Sequence, residues 1–218
     1  MKINLDYNNL IDRKLNIINI KKNDFVYNYK YRSFPIIKVI KSNNPPKVIF
    51  LEKPVADSLS NARKINNLCQ KNNTTLLIDY QRRFIPIYYK IKEWISARKF
   101  GNIQNVTVYY GGGVANTGSH IFDMLYFLFG NVKKIDAKKS SNSSHNIHDP
   151  NLDIEIIFNN NITCSLRSID ITNYGVLEMD IFGTAGRLII DMINHTVNNY
   201  VISQKKSLVY KQLTPKKL

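Results

Sequence analysis

The sequence predicts a parallel α/β half followed by an α+β domain with a mostly antiparallel sheet. Three observations carry that reading. Up to about Tyr80, short apolar runs alternate with stretches of helical periodicity, the signature of strands joined by crossover helices. Beyond Gly130, apolar runs follow one another without an intervening helix, as in an antiparallel sheet. Between these parts lies a glycine cluster: four of the nine glycines fall in Gly111–Asp123, and none precedes Gly101.

Taken in order, Ile3 to Leu5 reads as a strand, and Ile11, Leu15 and Ile18 mark one face of a helix. Phe25 to Tyr29 is a second strand. Ser33 can then cap a short helix carrying Phe34, Ile37 and Ile40, ended by Pro45-Pro46. The continuous apolar run Val48 to Leu51 suits a parallel strand covered on both faces. Ser58 caps a helix with Ala62, Ile65 and Cys69 in line, and Thr74 to Tyr80 is the next strand.

From Pro86 the pattern changes. Pro86 suits a first helical turn, Tyr88, Ile91 and Ile95 form a stripe, and Gly101 closes that helix. Strand Val106 to Tyr110 leads into the glycines. Ser119 can N-cap the next helix, where Ile121, Met124, Leu125 and Leu128 recur at i, i+3, i+4 and i+7 before Gly130 stops it. Six strands follow: Val132–Ala137, Leu152–Phe158, Ile162–Ile169, Val176–Ile181, Arg187–Asp191 and Thr196–Ile202. Asp153, Glu155 and Arg167 alternate with apolar neighbours, so one face of this sheet meets water. The domains are residues 1–84 and 85–218.

Composition narrows the function classes. The 218 residues are 44% hydrophobic, enough for a real core, and no apolar run approaches the ~20 residues that span a bilayer. Two cysteines, Cys69 and Cys164, are too few for a disulfide framework and too far apart for a metal motif, which suits the cytoplasm. The net charge of +15 is spread along the chain, mostly as lysine. Nucleic-acid binders instead gather basic residues on one face with stacking aromatics, so basicity here reads as compositional and nucleic acid is not the expected partner.

Candidate chemistry concentrates in three places. Glu52-Lys53-Pro54 and Gln81-Arg82-Arg83-Phe84 each follow a parallel strand, at the sheet edge where such folds bind ligands. His120 stands in a first helical turn, where the dipole disfavours an imidazolium. It reads either as a proton acceptor beside a pliable loop or as a hydrogen-bonded histidine after a glycine turn. His145, His148 and Asp149 share a Ser/Asn-rich loop; such a loop presets no coordination geometry, and no metal is assigned.

Three motifs together resemble the glucose–fructose oxidoreductase and inositol dehydrogenase family, Gfo/Idh/MocA: Phe-Leu-Glu-Lys-Pro-Val (50–55), Tyr-Gln-Arg-Arg-Phe-Ile-Pro (80–86) and Gly-Gly-Gly-Val-Ala-Asn-Thr-Gly-Ser-His-Ile-Phe-Asp (111–123). Phe-Gly-Thr-Ala-Gly-Arg-Leu (182–188) fits a turn between two strands of that family's C-terminal sheet. The resemblance implies an NAD- or NADP-dependent oxidoreductase acting on a sugar, polyol or nucleotide-sugar by hydride transfer. It implies Lys53 and His120 as catalytic residues, Arg83 and Asn116 at the substrate, and Glu52, Lys53 and Pro54 beside the cofactor. It also implies a homo-oligomer formed through the C-terminal sheet.

Two features depart from the family pattern. Asn116 stands where many members have an aspartate, and an amide cannot carry the proton. The glycine fingerprint that cradles a pyrophosphate after the first strand is absent from this chain. The chain therefore resembles the middle of such an enzyme: an incomplete Rossmann-like half, then a substrate and oligomerisation domain. Weak or absent NAD(H) binding is the expectation. The alternative is a non-catalytic sugar-binding or assembly subunit of the same fold.

Overall fold

The computed structural model describes residues 25–28, 33–56, 58–203 and 210–216. The strand expected at Ile3–Leu5 and the helix expected over Ile11–Ile18 lie outside them. Two compact units divide the chain, Met1–Asp79 and Tyr80–Leu218.

In the first unit, strands β1 (Phe25–Asn28), β2 (Val48–Leu51) and β3 (Thr75–Ile78) form a parallel sheet in the order β1-β2-β3. Parallel neighbours need crossovers. Helices α1 (Ser33–Ile40) and α2 (Leu59–Lys71) supply them. The apolar β2 is the middle strand, with Val48, Ile49 and Leu51 buried, which is why it reads as an unbroken hydrophobic run. Ile65 and Cys69, one helical turn apart on α2, join Ile36, Ile40, Ile49 and Leu51 in the core.

Ser58 caps α2 as its sequence position predicts, its Oγ accepting from the Asn61 N–H at 3.2 Å. Ser58→Ala should cost about 1 kcal/mol, read as a lowered urea midpoint with unchanged slope. At the other end Asn73 takes a left-handed φ of 51°. The buried Thr74 hydroxyl then donates to the Pro46 carbonyl at 2.8 Å, tying the start of β3 to that of β2.

The second unit is an eight-stranded sheet with helices α3 (Pro86–Ser96) and α4 (Gly118–Phe129). Its strands are β4 (Ile103–Tyr110), β5 (Val132–Lys139), β6 (Leu152–Phe158), β7 (Thr163–Ser168), β8 (Leu177–Gly183), β9 (Gly186–Asp191), β10 (Thr196–Ile202) and β11 (Leu213–Lys216). They lie in the order β11-β10-β9-β8-β4-β7-β6-β5. All neighbours are antiparallel except β4 and β7, which pair in parallel from Val106↔Cys164 to Tyr110↔Ser168. The α4–β5–β6 excursion makes that parallel pairing possible.

Alternation decides the faces of this sheet. Val106, Val108 and Tyr110 of β4 are fully buried with Ile121, Met124 and Leu125 of α4 and Tyr88 and Ile91 of α3. Tyr109 and Phe182 stand exposed. The Glu155–Arg167 ion pair joins the exposed positions of β6 and β7. The edge strands carry protection. Every residue of β5 is exposed and four are lysine, and β11, which the sequence reading missed, contains Pro215.

Two glycines act differently from one another here. Gly130 ends α4 as expected, at φ 84° and ψ −147°, a region glycine alone occupies readily. Gly101 does not close α3, which stops at Ser96 with Ala97 as its cap. It turns the chain into β4 against the β8–β9 hairpin instead: at φ +73°, a Cβ would lie 2.1 Å from Thr184 Oγ1. That hairpin is the expected Gly-Thr-Ala-Gly turn, with Gly183 paired to Gly186.

Candidate functional site

The glycine cluster begins where β4 ends. The buried Tyr110 is clamped to β6, its hydroxyl donating to the Leu152 carbonyl at 2.6 Å and accepting from the Leu152 N–H at 3.0 Å. Gly112 and Gly113 then take φ of 78° and 92°, and residues Gly113–Thr117 form a wide π-helical turn that runs into α4. A Cβ on Gly113 would sit 2.2 Å from Asp149 Oδ2, so glycine is required by the chain's own packing.

Asp149-Pro150-Asn151 satisfies the four amides that open this turn. The Gly113 N–H donates to Asn151 Oδ1 at 2.9 Å and the Val114 N–H to the Pro150 carbonyl at 3.1 Å. Ala115 and Asn116 donate to the two carboxylate oxygens of Asp149, at 2.7 and 2.9 Å. These N–H groups are spent within the protein, so the glycine run is not a phosphate cradle. The expectation that Ser119 caps the helix is corrected: the wide turn already occupies that place, and the Ser119 hydroxyl donates to the Asn116 carbonyl at 2.8 Å.

His120 is half-buried near the start of α4, edge-on to the Tyr80 ring at a centroid distance of 6.3 Å. One turn further, Asp123 receives Arg83 through both oxygens at 2.7 Å, from Nε and one terminal nitrogen. The Arg83 guanidinium also lies 5.7 Å from the Tyr126 ring and 5.6 Å from Phe127. Burial raises the Asp123 carboxyl despite the opposing pull of Arg83. Burial and then the Asp123 charge raise the Tyr80 phenol.

Arg83, read from sequence as a substrate contact, thus spends its fork on Asp123. Its neighbour Arg82 goes elsewhere, Nε donating to the Met192 carbonyl at 3.5 Å, so the two arginines do not converge. The exposed Asn116 side chain has a long contact to the Gly112 carbonyl, 3.5 Å from Nδ2. Glu52, Lys53 and Pro54 directly follow β2 in the first unit, at its carboxyl end. Asp79 stands at the matching end of β3, its carboxyl raised by burial and by the Glu52 charge.

The loop histidines separate. His145 Nε2 lies 2.7 Å from Thr172 Oγ1 and 3.2 Å from Asp170, His148 is exposed, and Asp149 is buried on its amides. Among the described residues no group of three or more metal-binding side chains meets. Sequence reasoning missed Tyr80, Asp123 and Asn151. Only Asp123 left a local signal, its i+3 spacing from His120.

Residues 104–189, which hold the wide turn, His120 and six consecutive strands of this sheet (β4 to β9) wholly or nearly so, match the family model described as the GFO/IDH/MocA C-terminal domain. That span is similar to a Gfo/Idh/MocA C-terminal domain. Among curated relatives, Oxidoreductase P35 of Formosa agariphila is 22% identical over 150 residues, covering 58% of this chain and 46% of that protein. The fold is similar to the WlbA dehydrogenase of Bordetella pertussis, solved with NADH and UDP-GlcNAcA. The TM-score is 0.67 at 18% identity, covering 77% of this chain and 55% of that one. It is similar also to the super-repressor mutant of Gal80p from Saccharomyces cerevisiae, with a TM-score of 0.71 at 18% identity over 89% of this chain and 62% of the other. The chain spans less than half the length of the curated oxidoreductases it matches, 46% and 43%. Among the described residues no helix is long and apolar enough to cross a membrane.

Proposed function

We propose that the chain belongs to an NAD- or NADP-dependent oxidoreductase acting on a sugar, polyol or nucleotide-sugar. One observation carries this reading: His120 falls inside the matched Gfo/Idh/MocA domain, on a helix start held by eight strands of sheet behind it. In alcohol oxidation the neutral His120 imidazole takes the hydroxyl proton and later releases it to solvent. The resemblance of Glu52-Lys53-Pro54 to the family motif assigns Lys53 a part in the same reaction, as an ammonium that stabilises developing negative charge. The exposed Asn116 amide hydrogen-bonds a neighbouring substrate hydroxyl. A bound nicotinamide supplies the hydride acceptor.

The fit to that cofactor is partial. Glu52, Lys53 and Pro54 suit its nicotinamide end, but among the described residues no glycine turn follows β1, β2 or β3, and the amides of the wide turn are taken by Asp149 and its neighbours. No residue is therefore assigned to the pyrophosphate. Calorimetric titration of the chain should give NADH and NADPH affinities weaker than micromolar. Micromolar binding would reveal another phosphate cradle.

The same partial fit favours a second reading, a non-catalytic sugar-binding or assembly subunit, in keeping with the likeness of fold to the super-repressor mutant of Gal80p. Turnover at millimolar cofactor with a panel of sugars, polyols and nucleotide-sugars separates the two. The exposed sheet face with Tyr109 and Phe182 is the proposed seat for a second copy of the chain, tested by sedimentation velocity. The buried free thiols of Cys69 and Cys164 are in keeping with the cytoplasm, and burial pushes Cys164 up to about 12.

A further inference from the structure

We infer that Asp149 is a positioning residue for the candidate site, setting the spacing between Asn116 and His120; the inference rests on the reading of His120 as acid–base. The Asp149 residue is only 8% exposed, and its two oxygens bind two successive amides, the second being that of Asn116 itself. Such a bidentate grip fixes the path of the backbone between them, where a single acceptor leaves it free to pivot.

The grip is anchored from behind. The Asp149 N–H donates to the Asn146 carbonyl at 3.1 Å. Asn151, 2% exposed, donates through Nδ2 to the carbonyls of Ser143 at 3.0 Å and Asn142 at 3.3 Å while accepting from Gly113. Gly113 lies against the carboxylate with no room for a side chain.

What this grip controls follows from the packing of α4. Ile121, Met124 and Leu125 lock the helix body into the core, so His120 is carried on a fixed element. Asn116 lies upstream, inside a turn wider than an α-helix by one residue per hydrogen-bonded ring. If Asp149 lets go, the Ala115 and Asn116 amides lose their acceptors and the turn tightens toward α geometry, moving Asn116 relative to the imidazole. Misplacement by about 1 Å costs about 100-fold in rate. Asp149 itself touches neither substrate nor reacting atoms; it acts through the turn.

The test compares the full 218-residue chain with Asp149→Ala and Asp149→Asn. The His120 imidazole signal is followed by NMR, assigned by its loss in His120→Ala, and amide exchange is read at Ala115 and Asn116. Asp149→Ala should move the His120 signal and speed exchange at both amides by tenfold or more, with core methyl signals unchanged. Asp149→Asn retains one acceptor oxygen and should restore part of both effects; it also serves if the alanine variant does not fold. A lowered melting temperature with an unmoved His120 signal would reduce Asp149 to a structural cap and overturn the inference. The acid–base reading fails on a different result, unchanged turnover in His120→Ala.

Discussion

Replacing His120 with alanine should lower turnover by roughly 10²–10⁴-fold, the usual contribution of a positioned proton-transfer group. Cofactor affinity should change little, because the imidazole serves the substrate oxygen in this reading. Lys53→Ala should weaken both turnover and cofactor binding, since the same ammonium is assigned to both. The measurement is kcat and KM at saturating cofactor, beside a cofactor titration of each variant. The loss in kcat should match the loss in kcat/KM, the pattern of an interaction made only in the transition state. Unchanged turnover in His120→Ala would shift attention to Asn116 and a bound water, because Asn116 is an exposed amide in the turn upstream.

Arg83→Ala should destabilise the second unit by about 2–3 kcal/mol, lowering its melting temperature by roughly 5–10 °C. Removing one partner of a buried pair leaves the other charge uncompensated; here the Asp123 side chain is 9% exposed and loses both bonds of the fork. The figure sits below the range for fully buried pairs because the Arg83 side chain is 31% exposed.

The pH dependence has a definite sign. Burial already raises the Asp123 carboxyl in the folded protein, with Arg83 pulling the other way. A carboxyl raised on folding favours the native state at low pH, and that advantage is lost as pH rises through the folded value. Without Arg83 the folded value climbs further, so the loss extends to higher pH. The gap between wild type and variant should be widest near neutrality and should narrow toward about pH 4. A gap that stayed constant with pH would show that Arg83 acts through its packing on Tyr126 and Phe127 instead of through charge.

Much of the fold was legible because each element writes its own environment into a short window. Ile121, Met124, Leu125 and Leu128 recur at helical spacing because one face of α4 is buried, and all four are. Val48–Leu51 is unbroken in apolar character because it is a middle strand with helices packed on its sheet. Ser58 capped its helix as its position implied. Ser119 did not, though its local sequence was as good, because a cap depends on whether the amides that follow it are free, and here the turn before the helix already supplies their acceptors. Gly101 failed similarly: the contact requiring glycine comes from Thr184. The edge strand β11 escaped notice because an edge needs no buried alternation and tolerates Pro215.

The sequence by itself determined the two-part architecture, the extent of most strands and helices, the motifs that pointed to the Gfo/Idh/MocA family, and the candidate residues Lys53, Asn116 and His120. Those are properties of local periodicity and of side chains read in place. The tertiary structure alone decided which groups meet. It paired β4 with β7 in parallel, turned Arg83 to Asp123 and Arg82 to Met192, and brought Asp149, first read as a possible metal ligand, onto the amides of Ala115 and Asn116. These partners stand tens of residues apart in the chain, and a carboxylate carries no local mark of the donor it will meet. Only the folded sheet, by fixing one loop against another, selects that donor from the many the sequence offers.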